Sequence, residues 1–356
     1  MKNKKIPPHL PPPSCNVHLF HRLEKIKLLL YAAIVALLAG IAGSLSALAW
    51  LTPDFYSTQS AWQISGRGGV NLAALDPVYV RQMKQKMLTV YDTRLKPGNF
   101  LVDEARVAEA VLISSDGWAA AYHSNYITGE EKNWEIIGEQ GVMTKVEKAI
   151  YDRVLKVVIF KVQGQGFRFV SFADWYNLDR TRDLAVFEKK KNFQTKMGER
   201  KYIGDDRSFL ISNPQYADVL EVEVESGANV FDLSGNLIGF VSEGGKIIPS
   251  LVLDNALTKV LSGKYVGSSA IGVRGMYVTG ETINGAAQDT NGFLLTEVSP
   301  QVRGLKKGDL VLVIGGREVN QYTLAWDILA ASDPVDIMVR RGTEKVTISV
   351  KKSLIP

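Results

Sequence analysis

Between Leu28 and Leu51 the chain runs 24 residues without a charged side chain. Wound as a helix, that stretch would extend about 36 Å, enough to cross a hydrocarbon core of about 30 Å. It therefore predicts a transmembrane helix over 28–51 and divides the chain into a short leading tail and a long following portion. A cleaved signal peptide is the competing reading, because Ala47-Leu48-Ala49 has a small-x-small pattern. The run exceeds the roughly 7 to 15 apolar residues of a signal core, which favours a retained anchor.

Charge orients the span. Lys2, Lys4, Lys5, Arg22, Lys25 and Lys27 precede it with only Glu24 against them, and residues 52–66 contain neither Lys nor Arg. The positive-inside rule keeps the tail cytoplasmic and exports the remainder, a single-pass cell-membrane topology. Of 42 Lys+Arg and 37 Asp+Glu in the whole chain, 36 of each follow the tail. The exported portion is thus neutral, and the electrostatic footprint of nucleic-acid binding is missing. The cluster Lys189-Lys190-Lys191 beside Glu188 reads as a solvated strand end or turn.

Cys15, the one cysteine, falls in the tail. Disulfides and cysteine metal sites are excluded from the exported part, and with no metal or nucleotide motif no cofactor is expected. The proline-rich residues 1–27 read as a disordered tail and 52–80 as a linker around Gly66-Arg67-Gly68-Gly69. Small-xxx-small pairs Ala36/Gly40 and Gly43/Ala47 in the span leave helix dimerisation open.

Beyond the linker a helix is expected over 77–90. Short β-branched and aromatic runs follow at 107–113, 154–162, 167–172, 184–187, 209–212, 219–224, 230–233 and 237–242, a pattern that argues for a β-barrel or sandwich. Leu251, Leu253, Leu257, Val260 and Leu261 recur with helical period up to Gly263. Residues 270–350 form a further strand-rich segment with one helix near 322–331.

The order of these segments resembles HtrA-type serine proteases. Ala110-Val111-Leu112-Ile113-Ser114-Ser115-Asp116-Gly117-Trp118 is similar to the approach to their catalytic histidine, Thr181-Arg182-Asp183-Leu184-Ala185-Val186 to the aspartate segment, and Glu225-Ser226-Gly227-Ala228-Asn229-Val230 to the serine segment. Asn291 to Val298 and the run Gly304-Leu305-Lys306-Lys307-Gly308-Asp309 through Gly315-Gly316-Arg317 resemble a PDZ core. The resemblance implies a mainly β fold: a trypsin-like double β-barrel over 81–263 followed by a PDZ domain with one or two helices over 264–356, behind the transmembrane helix. It also implies a tendency to form trimers.

By the same resemblance the catalytic residues are His123, Asp183 and Ser226. A histidine base must reach the serine hydroxyl, and backbone donors must face the oxyanion. His9, His18 and His21 lie in the tail, so His123 alone can serve. Counted without gaps from Gly117, however, the family's position is held by Ser124. A one-residue slip on a strand turns His123 to the opposite face unless a bulge corrects it. Val224 and Glu225 stand where the family has glycine and asparagine, removing backbone freedom and adding negative charge beside the nucleophile. The 43 positions from Asp183 to Ser226 are fewer than the family interval. No lysine has the context of a serine-lysine dyad.

These departures predict an inactive or weakly active protease fold that binds C-terminal or unfolded peptide segments of exported proteins. The alternative is an active endopeptidase of envelope protein quality control. A PDZ domain adds its ligand as a strand and holds the terminal carboxylate on a loop, here matched by Ala270, Ile271, Gly272 and Val273. A PDZ domain packed against the barrel without a peptide ligand stays open as well.

Overall fold

The computed structural model describes residues 27, 30, 31, 33–36, 73–138, 141–204, 208–264, 267–283 and 286–354. The chain divides into two units, Met1–Gly69 and Val70–Pro356. In the first, residues 27, 30, 31 and 33–36 are helical and exposed. The rest of the tail, of the expected transmembrane helix and of the linker as far as residue 72 lies outside the described residues. Among the described residues, no helix is long and apolar enough to cross a membrane.

The second unit opens with α1 (Pro77–Lys84), where proline fills the first turn and the Asp76 carboxylate accepts from the Val78 N–H at 3.0 Å. The helix expected to reach residue 90 stops there, and Met87 begins a strand instead. Met87 to Asp92 pairs along both edges with segments distant in sequence, and that pairing overrides the helical period.

The first sheet comprises β1 (Met87–Asp92), β2 (Arg106–Leu112), β3 (Trp118–Tyr122), β4 (Trp134–Gly138), β5 (Met143–Thr144), β6 (Val146–Asp152) and β7 (Val157–Val162). Its order is β5-β4-β1-β2-β3-β7-β6, antiparallel throughout. The sheet curls so that β4 and β6 approach each other. Leu88, Val90, Ala110, Ala119, Ala121, Trp134, Ile136 and Phe160 fill its concave interior. Trp118, Ala120, Tyr122, Val157 and Ile159 point from the convex side into a core shared with the second sheet. Period-two alternation supplies both faces of β3.

The second sheet has the order β12-β11-β10-β8-β9, with β8 (Leu184–Phe187), β9 (Asn192–Thr195), β10 (Asn229–Asp232), β11 (Leu237–Val241) and β12 (Ile247–Pro249). Ala185, Phe187, Phe231 and Phe240 face the shared core, while Val186, Val230, Ile238 and Val241 face the other way. Two expected strands are extended crossings. Residues 167–172 bond first to the first sheet, Val170 N–H to the Leu112 carbonyl at 2.9 Å, then to the second, Leu237 N–H to the Ser171 carbonyl at 2.8 Å. Residues 219–224 make only the isolated bridges Val219–Lys246 and Leu220–Met197.

Helix α2 (Ser250–Leu261) lays Val252, Leu253, Ala256 and Val260 on the shared core. The C-terminal sheet has β13 (Val273–Ile283), β14 (Ala286–Val298), β15 (Leu310–Ile314), β16 (Val335–Arg341) and β17 (Glu344–Val350) in sequential order. Helix α3 (Leu324–Ala330) buries Leu324 and Ile328 against that sheet and Trp326 and Leu329 in the shared core. The Asn255 side-chain amide donates to the Ala330 carbonyl and, at 3.1 Å, to the Ala331 carbonyl. The Tyr176 hydroxyl donates to Asp327 at 2.5 Å.

Candidate functional site

β3 ends beside the turn that carries Ser226: a Cβ added to Gly227 would lie 3.8 Å from the Tyr122 carbonyl oxygen. Glu225 to Ala228 form that turn, closed by the Ala228 N–H on the Glu225 carbonyl at 3.2 Å, with Gly227 at φ +92°. Positive φ in the third position is the geometry of a type II turn, which glycine adopts without strain. Ser226 occupies the second position and is exposed.

His123 follows β3 directly, and its N–H donates to the Lys156 carbonyl at 2.9 Å. Neither the β2–β3 nor the β3–β7 pairing contains a register shift. The His123 side chain accordingly follows Ala119 and Ala121 toward the interior of the first sheet. Its ring centroid lies 6.2 Å from Tyr126 and 6.0 Å from Trp134. Its Nε2 is 2.8 Å from Glu130 Oε1. Both partners are largely covered, with side chains 16% and 10% exposed, so the imidazole is held by a local carboxylate inside an aromatic wall.

The opposite face of this strand end looks toward the Ser226 side. The Tyr122 hydroxyl accepts from the Glu243 N–H at 3.3 Å. Lys156 Nζ meets Glu243 Oε2 at 2.7 Å, and Lys156 is the only non-glycine residue at positive φ among the described residues. The Lys156 ammonium, followed by the Ser124 hydroxyl, holds the Glu243 carboxyl below its usual range. Ser124, the gapless position, thus faces Glu243 while His123 faces Glu130.

Asp183, one residue before β8, is exposed and lies 3.9 Å from Lys196 Nζ. It lines a shallow concavity with Asp174, Asn177, Asp232 and Asn236. Of the three expected catalytic residues, the structure sets Ser226 near the end of β3, His123 on Glu130 and Asp183 on Lys196.

Two further acids matter at the site. Glu188, beside the lysine cluster expected at a solvated strand end or turn, is buried, and its Oε1 accepts the Glu225 N–H at 3.0 Å. Lys191 Nζ lies 3.2 Å from its other oxygen. Glu225 and Glu188 together put negative charge beside the turn where an acyl-transfer site would collect its own. Glu130 and Glu188 carry no motif; the fold-back of residues 123–130 reveals the one, and contact with the distant Glu225 reveals the other. Lys189 and Lys190 are exposed as expected.

The loop matched to peptide binding joins Ala270, in a two-residue strand paired with Leu354 and Ser353, to Val273 at the start of β13. Ile271 and Val273 are buried in the C-terminal core, and the Gly272 carbonyl accepts from the Ser299 N–H at 2.8 Å. Along the outer edge of β13 runs the short strand Phe209–Leu210, antiparallel, with Phe209 opposite Gly275 and Leu210 opposite Arg274. The next residue, Ile211, donates its N–H to the Val273 carbonyl at 3.1 Å.

No family model and no curated protein matches the chain. Among solved structures, HtrA-type protease AlgW with a tripeptide superposes with a TM-score of 0.51 at 16% identity, over 78% of this chain and 97% of that one. AlgW with a decapeptide gives 0.47 at 16% identity over 78% and 98%, and the serine endoprotease from Yersinia pestis 0.45 at 15% over 77% and 97%. The mainly β, trypsin-like fold of HtrA-type proteases is the fold of this chain.

Proposed function

We propose that this chain is a membrane-anchored HtrA-type protein whose protease fold is catalytically silent and whose C-terminal sheet, read as a PDZ domain, binds peptide ends of exported proteins. The observation that carries the silent reading is the direction of His123, bonded to Glu130 on the interior face of a strand whose other face looks toward Ser226. A base must lie within about 3 Å of the hydroxyl it deprotonates, and a reversed side chain on a regular strand cannot do so without remaking the strand. Asp183 near Lys196, and Glu188 beneath the Ser226 turn, support the same reading.

Peptide binding rests on the outer edge of β13 with the loop 270–273 at its start, the arrangement by which strand addition captures a chain end; here Phe209 and Leu210 of the same chain lie along that edge. The superposable AlgW structure contains a tripeptide, which favours the same ligand class. Anchoring rests on the uncharged residues 28–51 and the basic residues before them.

The test is a fluorophosphonate serine probe and unfolded casein offered to the full chain in detergent, beside Ser226→Ala and His123→Ala. Equal background signal from all three is expected. Labelling and cleavage lost in both variants would overturn the silent reading and establish an active serine endopeptidase.

A further inference from the structure

The outer edge of β13 is already paired. Phe209 and Leu210 sit opposite Gly275 and Arg274, and the Ile211 N–H bonds the Val273 carbonyl. Arg274 Nη2 donates to the Ser208 carbonyl at 2.8 Å, and the Ser208 and Thr296 hydroxyls are 2.6 Å apart. Side chains alternate as on any strand. Phe209 stacks edge-on against Phe293 at 5.2 Å, Leu210 is half-buried, and Ile211 is fully buried among Ile271, Val273 and Phe293. Directly after Ile211 the chain leaves the edge, in a tight turn closed by the Asn213 N–H on the Leu210 carbonyl at 2.8 Å. The Ser212 hydroxyl is buried there without a hydrogen-bond partner among the described residues.

We propose that Ser208 to Ile211 is a ligand built into the chain: it occupies in cis the groove that takes a peptide end, and a peptide from another protein binds only by displacing it. The inference rests on the peptide-binding reading given above and names its regulation and its ligand class. The segment approaches the loop 270–273 in the direction of an added strand, fills the last apolar position with Ile211, and turns away where a free chain would end. A terminal carboxylate would stand where the chain continues into Ser212 with its unpartnered hydroxyl. The competing ligand is therefore a C-terminal peptide with a branched aliphatic residue last and an aromatic two positions before it. A tethered segment competes at an effective concentration in the millimolar range, so the wild-type groove reads as weak even for a well-matched peptide. Apparent affinity falls by the fraction of molecules in which the groove is open.

The probe is a fluorescent peptide of residues 208–211, Ser-Phe-Leu-Ile, with a free carboxylate, titrated into the full chain in detergent by polarisation. In Phe209→Ala, which weakens the internal strand and leaves the groove lining intact, affinity should rise at least about tenfold over wild type, as expected when closed molecules outnumber open ones by that factor. The second variant is a lock. Leu210 and Arg274 face each other across an antiparallel pair whose neighbour Ile211–Val273 carries the hydrogen bond, so Leu210→Cys with Arg274→Cys and Cys15→Ser sits in the closely spaced register suited to a disulfide. Oxidised, this protein should not bind the peptide; reduced, it should. Binding of equal strength in the oxidised and reduced forms would overturn cis occupancy while leaving peptide binding standing. No binding in Phe209→Ala or in the reduced protein would overturn the peptide-binding reading and the inference with it.

Discussion

His123 Nε2 lies 2.8 Å from Glu130 Oε1 inside the first sheet, whereas Ser226 lies beyond the other face of the same strand end. The imidazole therefore acts as a structural partner of a covered carboxylate. His123→Ala should destabilise the fold by about 1 to 3 kcal/mol, the cost of leaving a buried acceptor unmade. Ser226→Ala, at an exposed turn position, should stay within about 0.5 kcal/mol of wild type. Urea midpoints of the two variants check both expectations.

Asp309 is buried beside Arg341, whose Nε and Nη2 reach its two oxygens at 2.8 and 2.7 Å, and it accepts the Lys306 N–H at 2.8 Å. Burial pushes the carboxyl up, but the guanidinium and the backbone donor outweigh it and hold the carboxyl below its ordinary value. A depressed folded value means stability that is present above the unfolded pKa of about 3.9 and lost as pH falls through the folded one. Asp309→Asn should flatten the acid limb of the stability curve, read as a smaller loss of urea midpoint from pH 5 to pH 2 than in wild type.

Lys352 donates from its ammonium to the carbonyls of Ile328 and Ala331, both at 2.8 Å, and so caps the end of α3. Burial, with Lys259 nearby, lowers its pKa to about 8 from 10.5. The unfolded chain then holds more protons than the folded one between those values, so this group makes stability rise with pH from about 8 to about 10.5. Lys352→Met should remove that component, giving a shallower slope of unfolding free energy against pH in this window. It should also lower stability at pH 7, where the helix-end carbonyls lose their donor.

Gly239 sits in β11 so close to β12 that an added Cβ would be 2.1 Å from the Ile248 carbonyl oxygen. Backbone must move to admit it. Gly239→Ala should cost about 3 kcal/mol, the upper part of the range for overpacking, and show as a lowered thermal midpoint.

Local pattern made some elements readable and hid others for a physical reason. Leu184–Phe187 and the helix ending before Gly263 are self-contained: four consecutive buried residues in one, a helical period in the other. Met87 to Val90 suits either period, and only its partners β2 and β4, far along the chain, decide for strand. Residues 219–224 have strand composition but no ladder to join. The two faces of Trp118 to Ser124 follow from alternation alone, yet Glu130 as the partner of His123 does not, because the segment between them folds back through Gly129 at positive φ. Residues 209–212 are legible as a strand; that Phe209–Leu210 completes the C-terminal sheet is not, since no local signal says which sheet an edge will join.

That long-range pairing has a consequence during synthesis. Ile211 emerges from the ribosome well before Val298 completes the β13–β14 hairpin that supports its partner edge. At about 5 to 20 residues per second, an aromatic-aliphatic strand waits roughly 4 to 17 s without its ladder or its pocket. A nascent chain stalled or cut near residue 263 would keep that strand uncovered for good, so the two β portions must mature as one product.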